Sequence, residues 1–198
     1  MSKVVAIMSM SLDGYVADPD DGVAEVFDWY FHSGDVEFKT GGSDPMTFRV
    51  SPPSAGYLRS LWSELGAVLT GRRTFDVAHG CNGNHAWGPA FVLTHDIPDG
   101  WPRPDSTVHF VTDGIASAVS QARAAAAGRN VGVHGADTIQ QLLNAGLLDE
   151  IAVDIAAVLL GSGVRLFDGL ASTPIVLGNP TVIQGVGVTH LRYPVRKG

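Results

Sequence analysis

The chain has 198 residues, of which 45% are hydrophobic and 17% charged, and its net charge is −7. This suits one globular domain and excludes a disordered chain; the acidic balance argues against broad binding to nucleic acid or anionic membrane, and no apolar run nears the roughly 20 residues of a membrane span. The start "MSKVVAIMSMSLDG" lacks the pattern of a signal peptide, and Cys81 stands alone, so no internal disulfide and a cytoplasmic location are expected.

In chain order, "KVVAIMSMS" (3–11) predicts a strand, short, apolar and free of breakers. Residues 18–53, rich in Gly, Asp, Pro and Ser, are poorly patterned and too short for a core of their own, so they form an insertion or lid. Leu58, Leu61, Trp62 and Leu65 recur at helical spacing and predict a helix over 51–66, followed by a strand at 67–70 and a helix in "RRTFDVA". Strands follow at 90–94 and 107–112, then a helix at 113–128 with Asp113 as its cap and Gly128 as its stop. Residues 130–135 form a strand and 137–146 a helix, with Asp137 and Gln140 at capping-box spacing. "DEIAVDIAAVLL" (149–160) is a long strand, and "PIVLG" with "TVIQGVGVTHLRYPV" closes the chain as an antiparallel pair. Alternating β and α units imply an α/β fold: a mostly parallel sheet flanked by helices, with antiparallel C-terminal edge strands.

Two places run from a strand through glycine into a helix: "LTGRRTFD" (69–76) and "VHGADT" (133–138). Such turns present free backbone N–H groups at the carboxyl edge of a parallel sheet, where ligands collect and phosphates are attracted. Arg72 and Arg73 sit at the unfavourable end of a helix dipole, which suits either a bound anion or plain solvation. No GxGxxG or GxxxxGK follows any strand, so neither the dinucleotide fingerprint nor the phosphate loop applies.

Taken in order, "MSLDGYVAD", "VLTGRRTFD", "FVLTHD", "VHGADTIQQLLNAGLLDEI" and "VLLGSGVRLF" resemble the dihydrofolate reductase-like family, which includes the reductase domain of bifunctional riboflavin biosynthesis proteins. The likeness covers nearly the whole chain except roughly residues 18–53, and it implies a single-domain fold of that kind with an NADPH site. By that likeness Gly71, Arg72, Arg73 and Thr74 meet the cofactor, with Arg72 near the 2′-phosphate and Thr74 at the pyrophosphate. Thr94 and His95 match the adenosine-side strand end, and Gly135, Ala136, Asp137 and Thr138 the second glycine turn. Ser9, Val16 and Ala17 match the strand and loop beside the nicotinamide. The implied activity is hydride transfer to a small heterocycle, as in 5-amino-6-(5-phosphoribosylamino)uracil reduction. The strand "EIAVDIAAVLL" (150–160) and the closing segment are more apolar than a solvated edge should be, so a homodimer is expected, as in riboflavin-type relatives, with these strands at or near its interface.

Two departures bear on chemistry. His134-Gly135 stands where the family often has paired glycines, sometimes with a cis bond, and the isomer is left open. Folate reducers carry an acid in the helix before the "GRRT" turn; "SPPSAGYLRS" offers Ser54, Tyr57 and Arg59 instead, so dihydrofolate is not the expected substrate. Asp13 is either the catalytic acid near the nicotinamide or a turn-former before Gly14. In "HGCNGNH", His79, Cys81 and His85 either hold a metal or border a substrate pocket with Trp87; the second is preferred, with His85 and Trp87 as substrate-binding residues and no metal. Trp29, Tyr30 and His32 either close that pocket or pack the insertion onto the domain, and Asp154 belongs to a buried polar network or an interface. Two alternatives to a reductase are a non-catalytic NADP(H)-binding module and a metal-binding regulatory domain built on the His79–His85 loop.

Overall fold

The computed structural model describes residues 2–197, and among them the apolar runs become one eight-stranded sheet with two small two-stranded sheets beside it. Its strands are β1 (Val4–Ser11), β5 (Leu65–Gly71), β6 (Ala90–Leu93), β7 (Val108–Val111), β8 (Asn130–His134), β9 (Glu150–Ala156), β11 (Thr181–Gln184) and β12 (Val188–Pro194), in the order β11-β12-β9-β1-β8-β5-β6-β7. The six strands from β9 to β7 run parallel, and β12 and β11 add antiparallel pairing at one edge. Both faces of the sheet are covered, which is why its strands read as unbroken apolar runs. Val4 and Ala6 of β1 pack on one core with α4 (Ile115–Ala125) and α5 (Ala136–Asn144). Val5 and Ile7 pack on the other with α2 (Pro52–Ser63) and α3 (Arg72–Val77).

The insertion is folded. It holds α1 (Ala24–His32) and a hairpin of β3 (Val36–Lys39) and β4 (Thr47–Val50), and it is fastened by Val26, Trp29, Phe48 and Val50, all buried. The other small sheet pairs β2 (Tyr15–Ala17) with β10 (Val164–Arg165).

Several sequence expectations shift. The helix expected over 51–66 ends at Ser63, and Leu65 opens β5; the apolar spacing simply runs on across the junction. Asp113 makes no cap, because Gly114 precedes the first turn of α4. The expected capping box at Asp137 is an i,i+4 bond instead, Gln141 Nε2 donating to Asp137 Oδ2 at 2.6 Å. Gly128, with φ of 87°, lies just past α4 as expected of a stop. The 149–160 strand stops at Ala156, and "PIVLG" contributes one bridge, Leu177 to Val195, while β11 and β12 form the antiparallel pair. β9 lies between β1 and β12, so burial within the sheet accounts for its apolar sequence. Val182, at the β11 edge, and Val186, in the hairpin after it, are exposed. No helix among the described residues is long and apolar enough to cross a membrane.

Candidate active site

A cavity of about 1010 Å³ opens at the carboxyl ends of β1, β5, β6 and β8, the edge at which parallel sheets collect ligands. One end is built from the two glycine turns. Because β5 and β8 are neighbours, with Thr70 opposite His134, their turns lie side by side. A Cβ at Gly135 would come within 2.6 Å of Thr74 Oγ1, and one at Gly71 within 2.8 Å of Thr138 Oγ1. Each glycine thus keeps room for the other turn's threonine. Gly135 also has φ of 95°, which favours glycine, and the His134–Gly135 bond is trans; the cis bonds among the described residues are Trp101–Pro102 and Thr173–Pro174. The hydroxyls of Thr70 and Thr138 are buried with no protein partner.

The two arginines face carboxylates in this structure. Arg72 Nε donates to both oxygens of Asp76, at 3.0 and 2.9 Å, and its Nη1 to the Asp96 carbonyl at 3.2 Å. Arg73 reaches across to the insertion and pairs with Asp21 at 2.6 Å. Both pairs are partly exposed, and an exposed i,i+4 pair contributes only about 0.3–0.5 kcal/mol, so Arg72–Asp76 is easily traded for another anion. Thr94 follows β6, its hydroxyl donating to the same Asp96 carbonyl at 2.8 Å, which holds Thr94 and His95 beside α3. Ser9, Val16, Ala17, Ala136 and Asp137 complete this part of the lining.

The opposite end is aromatic. Tyr30 packs on Phe48 at 4.4 Å between centroids, Phe31 on Phe48 at 5.5 Å, and Phe48 on Trp62 at 6.0 Å. Trp62 continues to Trp87 at 5.7 Å, and Trp87 stacks on His134 at 4.5 Å. Gly132 makes the last contact possible, since a Cβ there would sit 2.7 Å from the Trp87 ring. Both expectations for the insertion therefore hold in part: Trp29 packs it down, donating from Nε1 to Ser9 Oγ at 3.1 Å, while Tyr30 lines the cavity. His32 does neither; it is exposed and paired with Asp28.

Two histidines adjoin Trp87 in this wall. The Trp87 N–H donates to His85 Nδ1 at 3.1 Å, which leaves the His85 proton on Nε2. His134 Nδ1 donates to the Ile7 carbonyl at 2.9 Å, which leaves its Nε2 as an acceptor. Burial pushes His85 down to about 3, helped by its proximity to His134, and His134 down to about 4, so both are neutral near pH 7.

Asp13 does not line the cavity. It accepts hydrogen bonds from Ser11 Oγ at 2.6 Å and from the backbone N–H groups of Leu160 and Gly161 at 3.1 and 2.7 Å. Those donors hold its carboxyl below the usual range, so it stays ionised and fastens the loop after β9; a proton donor needs the reverse. His79 also lies outside the lining, and among the described residues no three His, Cys, Asp or Glu side chains are grouped to hold a metal. The backbone here is irregular: His79, Gly80, Cys81 and Asn82 all have φ between 47° and 65°, a left-handed turn. Asp154 proves to be part of a buried network, with Oδ1 2.7 Å from His190 Nδ1 and His190 Nε2 2.9 Å from Ser54 Oγ. Ser54 and Tyr57 of α2 are thus committed to this network and the His190 ring rather than to the cavity. Sequence reasoning did not pick out Phe31, Phe48, Trp62 as a wall residue, or the Asp21 partner of Arg73; no local pattern marks any of them.

No curated protein matches the chain. Among solved structures, it resembles a Shewanella sp. PV-4 protein assigned to riboflavin biosynthesis, at 22% identity and a TM-score of 0.69 over 100% of both chains. It also resembles the Thermotoga maritima diaminohydroxyphosphoribosylaminopyrimidine deaminase/5-amino-6-(5-phosphoribosylamino)uracil reductase, at 12% identity and a TM-score of 0.61; 98% of this chain is covered and it spans 57% of that protein. Enterococcus faecalis dihydrofolate reductase, complexed with NADP(H) and RAB-propyl, aligns over 98% of this chain and 97% of its own, at 11% identity and a TM-score of 0.59. These likenesses identify the architecture as the dihydrofolate reductase-like α/β fold. The RibD C-terminal domain model matches residues 2–194, and the chain belongs to that family.

Proposed function

We propose that the chain is an NADPH-dependent reductase that transfers hydride to a small ring substrate. The observation that carries this is the pair of interlocked glycine turns at one end of a cavity whose other end is an aromatic wall. The residues present fit NADPH: Gly71 and Gly135 let the two turns lie side by side at the carboxyl edge of the sheet, and the unpartnered hydroxyls of Thr70 and Thr138 suit a polar ligand. Arg72 spends Nε and one Nη1 donor on its neighbours and so retains N–H groups for a 2′-phosphate. NADPH, when bound, supplies the hydride. The chain's part is to hold the two reactants against each other and to keep bulk water from the aromatic end.

Among the described residues, the carboxylates lining the cavity are Asp21, Asp96 and Asp137, all at the glycine-turn end. A reduction at the aromatic end then has no carboxylic acid beside it to supply a proton, and dihydrofolate, which needs a positioned acid, is not the substrate.

Cofactor binding by calorimetry tests the reading. NADPH should bind more tightly than NADH, and Arg72→Ala should weaken NADPH about tenfold or more while changing NADH less than twofold. Equal losses would remove Arg72 from the 2′-phosphate, and absence of NADPH binding would overturn the proposal. NADPH binding without oxidation across a panel of ring acceptors would instead support a non-catalytic binding module.

A further inference from the structure

The aromatic end of the cavity carries no charge with which to meet an anion. Among the described residues, the Lys and Arg side chains lining the cavity are Arg72 and Arg73, both at the glycine-turn end. The wall of Tyr30, Phe31, Phe48, Trp62 and Trp87 contributes ring faces, and its two histidines are held neutral by burial. What polarity it has is specific. His85 presents an Nε2–H donor and His134 an Nε2 acceptor, neither bonded to another described group, and Trp62 Nε1 is buried without a partner.

From this geometry we propose that the acceptor end takes a flat, uncharged, conjugated ring bearing both a hydrogen-bond donor and an acceptor, and discriminates against rings that carry a phosphate. The proposal rests on the reductase reading above and narrows its substrate class, separating this chain from a reductase acting on a phosphoribosylated ring. The physical reason is direct. Ring faces stack on flat conjugated ligands, whereas a phosphate of charge about −1.5 to −2 needs cations or several N–H donors when it leaves water.

A matched pair of probes tests this in the full chain with saturating NADPH, which occupies the glycine-turn end. Calorimetry should show 2-naphthol binding at least tenfold more tightly than 2-naphthyl phosphate. Met46 lines the cavity and is 49% exposed, so a lysine can be placed there without opening the core. Met46→Lys should raise the affinity of the phosphate at least fivefold and leave 2-naphthol within twofold. Wild-type binding of the phosphate as tight as that of 2-naphthol overturns the proposal, as does failure of both rings to bind. No gain in Met46→Lys overturns the missing cation as the cause of discrimination. Loss of NADPH binding would be visible separately in the same titration and would strike the reductase reading instead.

Discussion

The two ends of the cavity are made by opposite means. At the glycine-turn end, main chain does the shaping: two adjacent parallel strands stop, and glycine lets each turn nestle against a threonine of the other. At the aromatic end, side chains do it, drawn from the insertion, from α2 and from the loop before β6. The contrast teaches that a shared fold fixes where backbone can meet a ligand, while the chemical character of the cavity's other end is left to segments hung on that fold.

Gly135→Ala should give the largest separation between the ends. The new Cβ meets Thr74 Oγ1 and the residue is forced to hold φ of 95°, which together favour collapse of the turn. NADPH affinity should fall about thirtyfold or more, the equivalent of roughly 2 kcal/mol, while 2-naphthol binding to the cofactor-free protein stays within threefold. Equal losses of both ligands would break the distinction.

Acidification should expose the aromatic end. His134 and His85 are held to about 4 and about 3, whereas an unfolded chain protonates them near pH 6.5. Between pH 6.5 and about 4 the unfolded state therefore binds more protons at these two sites, and their contribution lowers stability as pH falls, opposed by the buried Asp154 carboxyl, which desolvation raises. Depressed carboxylates such as Asp149 and Glu150 contribute stability lost only at lower pH, below their ordinary values. The urea midpoint should drop between pH 7 and pH 5, and His134→Asn should flatten that drop by about half, since His85 remains. A wild-type midpoint independent of pH in this window would contradict neutral histidines.

Asp13→Ala should have the smallest effect on either end. Hydrogen exchange at the Leu160 and Gly161 amides should quicken as their acceptor is lost, with NADPH affinity unchanged within twofold. A tenfold loss of turnover with exchange unaltered would restore Asp13 as an acid.

The difference between the ends also explains what the sequence made legible. Strand, glycine, helix is a local pattern with a steric cause, so "LTGRRT" and "VHGADT" could be read, along with most strands. The i,i+4 spacing of Arg72 and Asp76 is equally visible, but spacing does not say whether the guanidinium keeps that carboxylate or meets a bound anion. The aromatic wall could not be read. Its rings meet from distant positions, and the insertion's elements are short: α1 has nine residues and each hairpin strand four. Buried strands mislead in another way: β9 is apolar because sheet and helices cover it, and sequence alone does not tell that from a partner's surface.

The reciprocal fit of the two glycine turns also constrains the order in which substitutions can accumulate. Gly71 has φ of −86°, an ordinary value for any residue, so only Thr138 Oγ1 stands in the way of a methyl group there. Alanine at 71 is obstructed while Thr138 is present and becomes sterically open once Thr138 has shrunk to alanine or glycine. The reverse sequence passes through a clash. At 135 the same permission from Thr74 is insufficient, because the backbone itself still asks for glycine. Descendants of this chain can thus drift at one turn by a two-step route with a fixed first step, and have no comparable route at the other.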